Sequence, residues 1–123
     1  MSRKKIEQQV RRHAGELIQE KGYASPVDLL VKMERLNLKQ VKDWRLKKIP
    51  YLEKVMNGNL GKLNHTLHTL KKFAKEHDLK PSVTVYHSWG KGPTQNLRFS
   101  KSGDRYMEEL YSNHYIHKTR KKE

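Results

Sequence analysis

Beyond Pro81 the hydrophobic period of this chain changes from 3.6 to 2, and that change limits the possible folds more than any other feature. Before it, Leu60, Leu63, Leu67, Leu70, Phe73 and Ala74 trace one narrow helical stripe, with Asn59 placed to cap its start and Pro81 just past its end. After it, Val83, Val85 and His87 alternate with Thr84, Tyr86 and Ser88, and Leu97 and Phe99 alternate with Asn96, Arg98 and Ser100. The run Gly90-Lys91-Gly92-Pro93-Thr94-Gln95 between them is turn chemistry, so the spacing predicts a β-hairpin at about 82–100 with a basic tip.

The segments upstream read as helices with local start and stop signals. Ile6, Val10, Ala14, Leu17 and Ile18 recur at helical spacing over about 3–21, and Gly22 follows where a left-handed cap would sit. Ser25-Pro26-Val27-Asp28 is a helix start: Ser as N-cap, Pro at the first position, an acid facing the dipole. Asn37 can cap a third helix with Gln40 in the reciprocal position, and Val41, Trp44 and Lys48 share its inner stripe. Pro50 breaks that helix, and Tyr51 to Met56 gives one or two further turns. At the far end, Ser102-Gly103-Asp104 opens a last helix, with Ser102 as cap and Tyr106, Met107, Leu110, Tyr111 and His114 in helical register. The fold class is therefore mainly α with a β-hairpin, an α+β single domain of helix-turn-helix or winged-helix-like type. It covers 6–117, between a basic N-terminal arm at 1–5 and a basic C-terminal tail at 118–123.

Composition decides what such a domain meets. The 123 residues hold 27 Lys and Arg against 13 Asp and Glu, a formal charge of +14 divided evenly between the two halves. Self-repulsion of that size weakens a compact state, and a polyphosphate is the simplest partner that relieves it. The absence of cysteine excludes disulfides, thiolate metal sites and a cysteine nucleophile, and suits a reducing compartment. No apolar run approaches a membrane span and the N-terminus has no apolar signal core, so the expectation is a cytoplasmic protein without membrane contact.

Ser25 to Lys48 has the dimensions of a helix-turn-helix, whose second helix would present Lys39, Gln40, Lys42, Asp43, Arg45 and Lys47 to a major groove. Two short helices with a solvated basic face are also common in proteins that bind nothing there. Lys91 at the hairpin tip, with Arg98 and Lys101, could contact phosphates as a wing does, or the hairpin could be a structural flap. On the long helix His65, His68, Lys72 and Lys75 form a cationic row, either solvated or tracking phosphates; two histidines beside two lysines make a poor metal site. Ser100 to Asp104 offers backbone N–H groups at a helix start, which suits an anion or a plain strand-to-helix turn. Of the aromatics, most sit in core register, and Tyr86 and Tyr115 are the two open to a polar side. His87, Asp104, Glu108, Glu109 and His114 show no nucleophile-base spacing or paired-carboxylate signature, so no catalytic residue, cofactor or metal is assigned.

Two runs, Val41-Lys42-Asp43-Trp44-Arg45-Leu46-Lys47-Lys48-Ile49-Pro50-Tyr51-Leu52-Glu53 and Leu97-Arg98-Phe99-Ser100-Lys101-Ser102-Gly103-Asp104, resemble an uncharacterised bacterial family. Its N-terminal region carries Asp-Trp-Arg, Pro-Tyr-Leu-Glu and Phe-Ser-Lys-Ser-Gly-Asp runs and a late His-Tyr, here His114-Tyr115. The resemblance covers roughly 20–117. Longer members continue into a further domain, which implies that this chain corresponds to their N-terminal unit. A fainter similarity, through Trp44 and Lys47 to Pro50, is to excisionase-like helix-turn-helix modules.

Together these features predict a non-enzymatic nucleic-acid-binding protein, with duplex DNA ranked ahead of RNA. Its site residues would be Lys39, Gln40, Lys42, Arg45, Lys47, His65, His68, Lys72, Lys75, Lys91, Arg98 and Lys101. The alternatives are a structured-RNA or ribosome-associated protein, a module for an acidic protein partner and, last, a metal-dependent nuclease.

Overall fold

The computed structural model describes residues 2–117, so the basic tail at 118–123 lies outside the described residues. The elements run α1 (Arg3–Lys21), β1 (Tyr23–Ala24), α2 (Pro26–Lys32), α3 (Leu38–Arg45), a 3₁₀ turn (Leu52–Val55), α4 (Leu60–Glu76), β2 (Lys80–Val83), α5 (Arg105–Ser112) and β3 (Asn113–Ile116). This is an α+β architecture of helices around a small antiparallel sheet. No helix among the described residues is long and apolar enough to cross a membrane.

The local signals produce the helices they promise. Gly22 ends α1 at φ 81°, a left-handed conformation open to glycine, and its N–H donates to the Ile18 carbonyl at 2.8 Å. Ser25 caps α2 and Asn59 caps α4 through their side-chain oxygens, while Asn37 and Gln40 form a complete capping box on α3. α1 starts at Arg3, as the helical spacing over about 3–21 predicts, so residues 3–5 of the basic arm lie in its first turn, where Ser2 Oγ accepts from the Lys5 N–H at 3.2 Å.

The strands depart from expectation. β2 pairs with β3, Ser82 opposite His114, and β1 pairs with the other side of β3, giving the order β1-β3-β2. The expected hairpin at 82–100 is therefore not a pair of strands. Residues 86–97 form a loop that closes on itself through Leu97 N–H to Tyr86 O and Ser88 N–H to Gln95 O, both 2.8 Å, and one isolated bridge between His87 and Asn96. The alternation at 82–88 is real, but Ser82, Thr84, Tyr86 and Ser88 face inward while Val83 and Val85 are 62% and 52% exposed. The last helix also stops early. Asp104 and not Ser102 caps it, and His114 belongs to β3, where it stacks on Tyr23 with ring centres 5.3 Å apart. Burial holds the His114 imidazole below its usual pKa.

Two apolar clusters support this frame. One gathers α1 and β1 with Leu29, Met33, Leu70, Phe73, Leu79 and Tyr115; the other gathers Val27, Leu30, Trp44, Leu52, Leu63, Leu67, Leu97, Phe99, Leu110 and Tyr111. α2 and α4 contribute to both, which ties the clusters into one body.

Candidate nucleic-acid interface

The second cluster fixes α3 from beneath. Trp44 is fully buried against Phe99 and Tyr86, and its indole N–H donates to the Arg98 carbonyl at 2.9 Å. The end of α3 is a Schellman motif: the Lys48 N–H reaches the Asp43 carbonyl and the Lys47 N–H reaches Trp44, with Lys47 left-handed at φ 64°. Lys42, Lys47 and Lys48 emerge exposed around this C-terminal end, where the helix dipole favours cations. Lys48 therefore lies outside the inner stripe assigned to it.

Arg45 joins this end to the 86–97 loop. Its guanidinium lies 4.8 Å from the Trp89 ring centre and 5.1 Å from that of Tyr86, and donates to the His87 carbonyl at 3.0 Å. Its own carbonyl accepts from the Trp89 N–H. The loop tip, turned by Gly90 at φ 114°, carries exposed Lys91 two residues beyond Trp89. Of the aromatics expected inside, Trp89 is 51% exposed, and Tyr106 too is exposed; of the two left open, Tyr115 is 3% exposed and Tyr86 is packed inward, its phenol pushed up to about 12 by burial.

Several expected contacts are occupied inside the fold. Gln40 accepts from the Asn37 N–H and donates to the Val55 carbonyl at 3.2 Å, so it is structural and not aimed at a groove. Arg98 donates to the Ser100 and Lys101 carbonyls and stacks on Tyr51 at 5.4 Å. Lys39 remains exposed, pairing with Asp43 at 3.0 Å. In the Ser100 to Asp104 turn the N–H groups of Ser100, Lys101, Gly103 and Asp104 are taken by acceptors of the fold itself. Glu108 accepts from Phe99 N–H, Ser100 N–H and Ser100 O–H, and Glu53 accepts from Lys101 N–H and Tyr111 O–H. The N–H groups of Gly103 and Asp104 reach the hydroxyls of Ser100 and Ser102. The Lys101 side chain stays exposed beside this turn.

The cationic row of α4 divides. His65 turns to α1, where its Nε2 lies 2.9 Å from Glu7, and His68 lies between the Asn64 carbonyl and the Tyr106 hydroxyl. Lys72 and Lys75 stay exposed and are joined by Lys71, which the sequence spacing missed. Among the described residues no group of three or more metal-ligating side chains gathers. No protein family, curated protein or solved structure matches the chain.

Proposed function

We propose that the protein binds nucleic acid without acting on it chemically, and that α3 with the adjoining 86–97 loop is the contact surface. The observation that carries this reading is the docking of Trp89 and Tyr86 on Arg45, which ties the loop that carries Lys91 to the end of α3 from which Lys42, Lys47 and Lys48 emerge. In it α2 and α3 serve as a helix-turn-helix and the loop stands where a wing would. Of the sequence candidates able to read bases in a bidentate manner, Gln40, Arg45 and Arg98 are held by internal partners, which leaves lysines among those candidates. Lysine ammonium groups suit phosphates, so the reading is backbone binding to duplex DNA with weak base discrimination.

On duplex DNA, log affinity is expected to fall with log salt at about 0.9 per phosphate neutralised. The combined change Lys42→Ala, Lys47→Ala, Lys48→Ala and Lys91→Ala should make that slope shallower by about one for each lysine in contact. A flat salt response of the unaltered protein rejects the proposal.

Exposed Trp89 favours a second reading, an unpaired base of a structured RNA stacked on the indole. Stacking contributes about 1–3 kcal/mol per base. Trp89→Ala should then weaken a single-stranded or looped RNA tenfold or more, and by a larger factor than it weakens duplex DNA; equal effects on both ligands reject the RNA reading.

A further inference from the structure

A groove of about 780 Å³ opens between the C-terminal half of α4 and the β2–β3 pair. Ala74, Leu79, Pro81, Val83 and Tyr115 give it an apolar floor. His68, Lys71, Lys72 and Lys75 stand along it, with Asp78 as its one carboxylate. The strand beside it is an edge of the sheet. The Thr84 N–H donates to the Ser112 carbonyl at 3.0 Å, in register with the β2–β3 ladder. Antiparallel alternation then turns the Pro81 carbonyl and the Val83 N–H and carbonyl to the open side.

We propose that this groove binds an acidic, extended segment of a partner protein, which adds to the open edge of β2 and lays alternate aliphatic side chains on the floor. Three observations select that occupant. The lysines attract carboxylates and repel both a second copy of this chain, at +14, and its own basic sequence at 118–122. The floor is aliphatic apart from Tyr115, whose ring is 3% exposed, so an unpaired base finds no aromatic face on it. The outward peptide groups of β2 match a backbone that has both donors and acceptors at strand spacing. Lys80 and Pro81 at the start of the strand, and its four-residue length, make the added strand short and deter pairing between copies.

The test uses a fluorescent ten-residue peptide of alternating Glu and Val, followed by anisotropy at low salt with the full chain. Binding is expected, with no binding of the matching Lys-Val peptide. The change Val83→Pro removes an outward N–H and leaves the β3-facing groups in place, and should weaken the Glu-Val peptide at least tenfold. The triple reversal Lys71→Glu, Lys72→Glu and Lys75→Glu, at exposed positions, should do the same without lowering Tm by more than a few degrees. The α3 and loop lysine variant should bind the peptide as the unaltered protein does, which separates this site from the nucleic-acid surface. Failure of the Glu-Val peptide to bind overturns the proposal. So does undiminished binding by a folded Val83→Pro protein, which would mean attraction by charge alone. Tighter binding of a ten-nucleotide oligothymidylate, lost in the triple reversal, overturns it in favour of nucleic acid.

Discussion

Trp44→Ala is expected to cost about 3–5 kcal/mol of folding stability, the usual range for emptying a buried aromatic site. Trp44 is 0% exposed, its ring centre is 5.0 Å from Phe99 and 5.4 Å from Tyr86, and its N–H satisfies the Arg98 carbonyl. Truncation removes the side chain that joins α3 to the 97–99 segment and leaves both a cavity and an orphan acceptor. Domains of this size have about 5–15 kcal/mol in total, so the variant should unfold at a much lower denaturant midpoint with a similar slope. Trp44→Phe keeps most of the packing and loses the hydrogen bond, and should cost about 1–2 kcal/mol. Trp89→Ala should change stability by less than either, because half of that side chain already meets water. Equal midpoints for Trp44→Ala and Trp89→Ala would contradict this assignment of roles.

Glu108→Ala ranks second, at about 3 kcal/mol, because one carboxylate accepts from the Phe99 N–H at 3.0 Å, the Ser100 N–H at 2.7 Å and the Ser100 hydroxyl. Without it these donors, on buried Phe99 and Ser100, lose their acceptor at the turn where the chain enters α5. Glu108→Gln restores only one oxygen and directs an amide N–H toward a site made of donors, so it should recover less than half of the loss. Hydrogen exchange locates the effect: protection should fall first at Phe99 and Ser100 and spread to Lys101, whose N–H is held by Glu53. Unchanged exchange at these amides in a folded Glu108→Ala protein would remove the carboxylate from this role. Tyr111 supports Glu53 beside it: its hydroxyl donates to that carboxylate at 2.7 Å, and burial pushes its phenol pKa far up.

The elements legible in the sequence are those whose cause is local. Gly22, Ser25, the Asn37–Gln40 box and Asn59 each act within four residues of themselves, and each sits where the residue pattern puts it. Strand partnership is not local. Nothing in Lys80-Pro81-Ser82-Val83 names Asn113 to Ile116 as its mate, and the nearer alternating run at 96–100 was the obvious but wrong choice. Periodicity likewise shows that 82–88 alternates without showing which set faces in; Tyr86 packs inward on Trp44 and Phe99, and that leaves the valines outside. Among the site candidates, lysines on exposed faces were readable as charge. The engagement of Arg45 and Arg98 was not, because their acceptors are backbone carbonyls, of His87 for Arg45 and of the Ser100–Lys101 turn for Arg98. Gln40 held its own warning, since a residue completing a capping box has its oxygen spoken for.

The strand order also bears on how the chain acquires its shape during synthesis. β3 is the central strand, and β1 and β2 make no ladder with each other. Until residues 113–116 clear the ribosomal exit tunnel, residues 23–24 and 80–83 have no partner strand, and Tyr115 is missing from the first apolar cluster. The helices can dock as they emerge, but closure waits for residues 113–116, because contacts such as Tyr23 with Ile116 span most of the described chain. A nascent chain with this topology keeps a basic, partly assembled surface beside ribosomal RNA until its central strand has emerged.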